Sequence, residues 1–269
     1  MIAAIAVPSG GAYFAGHFPG RPILPGVAEL ELVLNALMRE TRQPVAVRGL
    51  AFARLRQLVL PGDRLALTTR EIDGGRLRFD LSRGGAPVAN GEFVLGPPGK
   101  PSLAEASLTE FALPASAPPL DALLPQRPPM RWVTAILSVT EDGILCTARI
   151  PAACALVCAD SAPALAGVEA AAQAAAVWES MRRWREGGVA APRIGYLVAL
   201  RDVALFAERL PANQTLLAYV RLEAAAPPLA HYQVEVSLGG LAMVRGTIAT
   251  FLALGSNPFP TTLPDAVKY

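Results

Sequence analysis

A segment crowded with proline divides this chain in two, and the same order of elements can be read on either side of it. Between residues 96 and 119 stand Pro97, Pro98, Pro101, Pro114, Pro118 and Pro119 among small residues, the composition of an extended linker. Each flank reads as a short strand, a long helix and then several strands of alternating or apolar character, a repeat with a period of about half the chain. In the first half Pro25-Gly26 opens a helix with Val27, Leu30, Leu34, Leu37 and Met38 mostly at spacings of three and four, so that one face is apolar and buried. In the second half Asp160 or Ser161 can cap an alanine-rich helix containing Val168, Ala172, Ala175 and Met181. Its small side chains allow a surrounding sheet to approach closely, and they also favour helix in themselves.

The parallels continue beyond each helix. Leu60-Pro61-Gly62-Asp63-Arg64-Leu65 and Leu210-Pro211-Ala212-Asn213-Gln214-Thr215-Leu216 both read as a turn entering a strand. Strands are predicted over residues 76–81 and 232–236, each followed by a glycine pair, Gly84-Gly85 or Gly239-Gly240, and then by a last apolar strand over residues 88–95 or 242–252. A long helix followed by consecutive hairpins implies an α+β fold, an antiparallel sheet wrapped round one helix, made twice. The expected organisation is a first domain over residues 1–96, a linker over 97–119, a second domain over 120–255 and a tail over 256–269.

Composition excludes several classes of protein. With 269 residues and 52% hydrophobic content the chain can bury a substantial core. Its 24 Lys and Arg against 22 Asp and Glu are too balanced to argue for a nucleic-acid surface. Cys146, Cys154 and Cys158 form a poor disulfide framework and read as reduced, small core residues. The apolar start has no basic n-region and soon meets Pro8, unlike a signal peptide. The longest other apolar run, residues 170–177, is broken by Gln173 and is far shorter than the ~20 residues of a membrane span. A cytoplasmic protein is expected. Two separated histidines and clustered cysteines give no recognised metal spacing, and no metal or redox cofactor is implied.

The sharpest local signal is Gly16-His17-Phe18-Pro19-Gly20-Arg21-Pro22-Ile23-Leu24-Pro25-Gly26-Val27. It resembles the hot-dog-fold 3-hydroxyacyl-acyl-carrier-protein dehydratases, whose hallmark is a His-Phe-Pro-Gly segment running through Pro-Gly into the central helix. Residues Arg54-Leu55-Arg56-Gln57-Leu58-Val59-Leu60-Pro61-Gly62-Asp63 resemble the strand and Pro-Gly-Asp turn after that helix. In the second half Leu123-Leu124-Pro125-Gln126-Arg127-Pro128-Pro129-Met130 is similar to the family's Leu-Pro-His-Arg leader, with Gln126 in place of histidine. Glu169-Ala170-Ala171-Ala172-Gln173 is similar to its Glu-x-x-x-Gln, while a second His-Phe-Pro-Gly is absent. The first half begins almost at the family's second strand, so each half lacks what the other has. The pairing resembles the two dehydratase-like proteins of aryl-polyene pathways joined in one chain, a double hot-dog.

Dehydration needs a base for the C2 proton, an acid for the departing C3 hydroxyl and donors for charge on the thioester oxygen. Histidine suits the first role, a carboxyl in a dry pocket the second, and helix-terminal N–H groups the third. The resemblance implies that the histidine of one subunit works with a central-helix acid of the other. By position His17 is then the base and Glu169 its partner acid, with Phe18, Gly26 and Gln173 as substrate-binding or supporting residues. Glu31, fourteen residues after His17, matches the acid of a reciprocal site, but residues 150–164 contain no histidine and Asn35 stands where the family has glutamine. One working site per chain and a degenerate site around Glu31 are expected.

Bland alternatives stand beside these assignments. Glu29, two positions from Glu31, is expected to face solvent, and His231 reads as structural. Gln173 could orient Glu169 or bridge the two halves. Pro22 and Pro25 shape the loop, and Gly26 either donates its N–H to substrate or clears the helix entry. Arg39, Arg42, Arg48, Arg54 and Arg56 could meet an acidic carrier protein and its phosphopantetheine phosphate, or form a solvated face. The expected partner is acyl carrier protein, with homo-oligomerisation left open. The competing functions are a hot-dog thioesterase or enoyl hydratase on coenzyme A thioesters, and a noncatalytic acyl-binding subunit.

Overall fold

The computed structural model describes residues 2–105, 113, 116–187, 193–253 and 263. The expected tail over 256–269 therefore lies outside the described residues except for Leu263, as does the linker over 106–112 and 114–115. The elements in chain order are β1 (Ile2–Ala6), α1 (Gly26–Thr41), β2 (Val47–Leu55), β3 (Arg64–Ile72), β4 (Arg76–Arg83) and β5 (Ala86–Leu95). There follow α2 (Leu120–Leu123), β6 (Val133–Val139), β7 (Gly143–Ala148), β8 (Ser161–Pro163), a 3-10 turn (Ala164–Ala166) and α3 (Gly167–Arg185). The chain continues through β9 (Gly195–Leu205), β10 (Arg209–Pro211), β11 (Leu216–Ala226), β12 (Leu229–Leu238) and β13 (Leu241–Leu252).

The repeat is real in three dimensions. One 11-stranded antiparallel sheet runs β1-β3-β4-β5-β2-β9-β13-β12-β11-β7-β6. Its first five strands curve round α1 and its last six round α3, the double hot-dog arrangement. β1 pairs with β3 as β7 pairs with β11, and β6 is the strand without a counterpart among the described residues of the first unit. Both glycine pairs turn hairpins. Gly84 and Gly85 have φ of 57° and 85°, and Gly239 and Gly240 have 58° and 80°. Two successive positive φ values give the turn whose twist matches that of the flanking strands.

Periodicity explains the core. Along β3 and β4 the inward residues Leu65, Leu67, Leu77, Phe79 and Leu81 are buried while alternate positions face outward. On α1 the apolar stripe Val27, Leu30, Leu34 and Leu37 is buried as its spacing predicts. α3 is buried on nearly every side and packs against β7, β11 and β12, which alanine permits because it projects only a methyl group. Near its far end Trp178 meets Tyr232 edge-on, with ring centroids 6.0 Å apart. Asp160 and Ser161 do not cap this helix. Ser161 instead enters β8, which pairs with β10, and a 3-10 turn carries the chain into α3 without a side-chain cap. Of the three cysteines expected in the core, Cys146 and Cys154 are buried and Cys158 is exposed.

The two units join through β2 and β9, with Gly49 opposite Ala204, Leu50 opposite Val203 and Ala53 opposite Leu200. The described start of the proline-rich segment is fastened across this join. Gly99 N–H donates to Leu205 O, Ala242 N–H to Ser102 O and Ala104 N–H to Gly240 O, at 2.8–2.9 Å. The buried Glu235 carboxylate accepts from Glu105 N–H and from Arg245 Nε. No described helix is long and apolar enough to cross a membrane.

The join has no room for a side chain at Gly49, where an added Cβ would lie 2.0 Å from Val203 O. Gly49→Ala is expected to destabilise the protein by on the order of 3 kcal/mol. Gly10→Ala, where nothing lies within 4 Å, is expected to be neutral. Denaturant midpoints of the two variants measure the difference.

Candidate active site between the two units

His17 stands on the loop from β1 to α1, and backbone bonds fix that loop on itself. His17 N–H donates to Phe14 O, Phe18 and Arg21 exchange bonds across the Pro19-Gly20 turn, and Ile23 N–H donates to His17 O at 2.9 Å. The second unit clamps the loop from outside. Arg127 N–H donates to Gly16 O at 3.0 Å, and a Cβ on Gly16 would lie 1.9 Å from Arg127 O. Gly16 also has φ of 82°, so both its conformation and its neighbour demand glycine.

The hydrogen bond of the imidazole decides its tautomer. Nδ1 lies 3.0 Å from Ile23 O, a group that only accepts, so Nδ1 carries the proton and Nε2 keeps a lone pair. Burial pushes the His17 pKa down to about 4 against the opposing pull of backbone hydrogen bonds. At neutral pH the ring is an uncharged base. Phe18 stacks on it at 4.2 Å between centroids.

Glu169 lies in the first turn of α3 and is 4% exposed. Burial raises its pKa to about 7, opposed by Gln173, whose Nε2 donates to Glu169 Oε1 at 2.9 Å. Gln173 is wholly buried and fully used. Its Nε2 also donates to Met130 O at 2.7 Å, and its Oε1 accepts from Trp132 N–H and Val133 N–H at 2.8 and 3.3 Å. It therefore orients Glu169 and ties α3 to the leader of its own unit; it does not bridge the two halves.

A cavity of about 250 Å³ opens between the units. His17, Phe18 and Gly26 line it from the first unit and Glu169 from the second, while Gln173 stands behind Glu169. Ala172, Ala175 and Ala176 give one wall of α3 a smooth apolar surface, facing Leu197 and Leu229. Gly26 leaves the entry of α1 open, since a Cβ there would meet Leu55 Cδ1 at 2.5 Å. The first N–H groups of α1 have no intrahelical acceptor and are oriented as donors. Arg182, Arg183 and Arg193 line the cavity as well, and Arg182 and Arg193 are exposed. None of Arg39, Arg42, Arg48, Arg54 and Arg56 does. Among the described residues no group of three or more His, Cys, Asp or Glu could hold a metal ion.

Glu31 is kept away from this cavity. It is half-buried near Tyr13, Asn35 and Arg209, with its pKa raised by burial and lowered again by Arg209 and by a hydrogen bond from Asn35. His231 lies on β12, apart from the cavity. Glu29 is the clear departure from expectation. It is not at the solvent surface but 3% exposed, and it lines the cavity with His17 and Glu169. The helical period contains the signal, because Glu29 is three residues after Gly26 and shares its face, whereas Glu31 falls on another. Gln126, 6% exposed, is a further wall residue.

Whole-chain likeness is found in several solved structures, at identities that speak for the fold alone. A trans-AT polyketide synthase dehydratase domain from Brevibacillus brevis is 15% identical, covers 94% of this chain and 93% of its own, and has a TM-score of 0.69. The dehydratase domain of RzxB from Pseudomonas fluorescens is 14% identical over 93% of both chains, with a TM-score of 0.68. The 3-hydroxyacyl-[acyl-carrier-protein] dehydratase FabZ of Legionella pneumophila (strain Corby) is 43% identical over 68 residues, 22% of this chain and 45% of that protein. The chain thus spans less than half the length of this relative. The structural likenesses define a double hot-dog fold. The chain belongs to the ApeP-like dehydratase family, whose model (ApeP dehydratase) matches residues 118–257, and residues 1–92 match the ApeI-like model (ApeI dehydratase). It resembles a fusion of the two.

Gln173→Leu is expected to strand the Trp132 and Val133 N–H groups and Met130 O, each a cost of about 1–3 kcal/mol if left dry. It is also expected to raise the Glu169 pKa further, because the lost bond favoured the carboxylate. Thermal melts and carboxyl NMR titration against wild type measure the two effects.

Proposed function

We propose that this protein dehydrates a 3-hydroxyacyl thioester on acyl carrier protein to the trans-2-enoyl thioester, at one composite site per chain. The observation carrying this reading is that His17 and Glu169, from different units, line one cavity, where burial lowers the pKa of the imidazole and raises that of the carboxyl. His17 Nε2 takes the C2 proton. Glu169, as the neutral acid, protonates the C3 hydroxyl, which leaves as water while the C2 electron pair forms the double bond. The N–H groups at the start of α1, beside Gly26, suit the thioester oxygen as charge gathers there. Passing the proton from His17 back to Glu169 restores the starting state.

The arginines at the cavity, Arg182, Arg183 and Arg193, support a substrate with a phosphodiester arm, since they bring positive charge to its wall. They replace the set suggested by sequence. The three cysteines are free thiols, in keeping with a reducing, cytoplasmic setting.

On this reading His17→Ala removes the base and Glu169→Gln removes the ionisable acid at similar volume. Each is expected to slow single-turnover elimination by roughly 10²- to 10⁴-fold, about 3–5 kcal/mol of barrier, with melts unchanged. Glu31→Gln is expected to matter far less, and equal damage from it overturns the one-site mechanism. Conjugated enoyl absorbance identifies dehydration, whereas release of free thiol would mean thioesterase action and neither signal a binding role.

The pH dependence follows from the same pair. Activity requires His17 unprotonated and Glu169 protonated, so kcat/KM rises through pH about 4 and falls through pH about 7. In the residual activity of Glu169→Gln the alkaline limb is expected to disappear.

A further inference from the structure

Elimination at His17 and Glu169 leaves another buried carboxyl of the cavity without a task. Glu29 is buried on the cavity wall, and its Oε1 has no hydrogen-bond partner among the described residues. Arg83, the cation whose charge acts on Glu29, is committed elsewhere. Arg83 donates to Asp63 at 2.5 Å, to Gln57 Oε1 at 2.8 Å and to Leu58 O at 3.2 Å, and makes no ion pair with Glu29 among the described residues. A carboxyl on the wall of a substrate channel is unfavourable when hydrocarbon covers it, because its hydrogen-bonding capacity is then lost.

We infer that Glu29 is a substrate-selecting group, exchanging a hydrogen bond with an uncharged hydroxyl or amide of the bound thioester. This rests on the cavity being the thioester site proposed above. Charge considerations restrict the ligand group to a neutral one. Arg83 disfavours a second cation, and the loss of water that raises the Glu29 pKa disfavours an ionised group of either sign beside it. Burial holds the Glu29 pKa at about 8, so at neutral pH the group is mostly the acid and can both donate and accept. The partner belongs either to the acyl tail, as a hydroxyl remote from the reacting carbons, or to the pantetheine arm, as its outer amide.

Calorimetric Kd values separate these sources. The His17→Ala protein, which holds substrate without turnover, is titrated with four 3-hydroxyacyl thioesters. The tails are alkyl or ω-hydroxyalkyl of equal length, and each is carried on pantetheine or on N-acetylcysteamine. Adding Glu29→Leu is expected to reduce the preference for the ligand bearing the bound group about tenfold, and Glu29→Gln to retain most of it. A loss that follows the tail hydroxyl assigns the tail, and one that follows the outer amide assigns the arm. Equal changes for all four ligands, or none, overturn the inference. If Glu29→Leu does not fold, the infrared band of the Glu29 carboxylic acid, identified by difference from Glu29→Gln, is followed on binding; a shift sustains the inference and an unshifted band overturns it. Because binding is read, failure of the wild type to dehydrate these compounds would remove the proposed function and leave this result standing.

Discussion

The antiparallel pairing of β2 with β9 is the contact on which the rest of the molecule depends. Each central helix is held by its own half of the sheet, so the register of this one pair sets where the two helices stand relative to each other. Glycine makes the close approach possible. Gly49 faces Val203 O, and Gly246 faces Val203 Cα, where a Cβ would be 2.9 Å away. A slip of one residue would turn every inward side chain of the strand outward, and it would part His17 from Glu169 at the same time.

Burial is the second constraint, and its effect depends on the chemistry of the group buried. The loss of water that pushes the imidazole of His17 down pushes the carboxyls of Glu169 and Glu29 up. At neutral pH His17 is therefore uncharged, Glu29 mostly the acid and Glu169 divided between acid and carboxylate, in a channel whose walls include Ala172, Ala175, Ala176, Leu197 and Leu229. Hydrogen bonds refine this common effect. Ile23 O fixes the tautomer of His17, Gln173 draws Glu169 back toward ionisation, and Glu29 has no such partner on Oε1.

The pseudo-symmetry of the fold does not extend to its chemistry. α1 and α3 occupy matching positions, yet Glu31 faces Tyr13, Asn35 and Arg209, away from the cavity that holds Glu169. The leader of the second unit packs on the His17 loop through Arg127 and on α3 through Gln173. Both units line the cavity, His17 from one and Glu169 from the other.

The sequence by itself determined the repeat, both helices, the paired glycine turns and the His17 loop, because these rest on local period and on the backbone freedom of particular residues. Glu169 and Gln173 were marked by their resemblance to the Glu-x-x-x-Gln of the dehydratase family. The sequence placed Glu29 in solvent and offered a cap at Asp160 or Ser161, and on these points only the tertiary structure could decide. Whether a charged residue on a helix meets water or a cavity depends on what packs over that face. Here the covering residues come from strands and a second helix far away in the chain, brought together only when β2 meets β9.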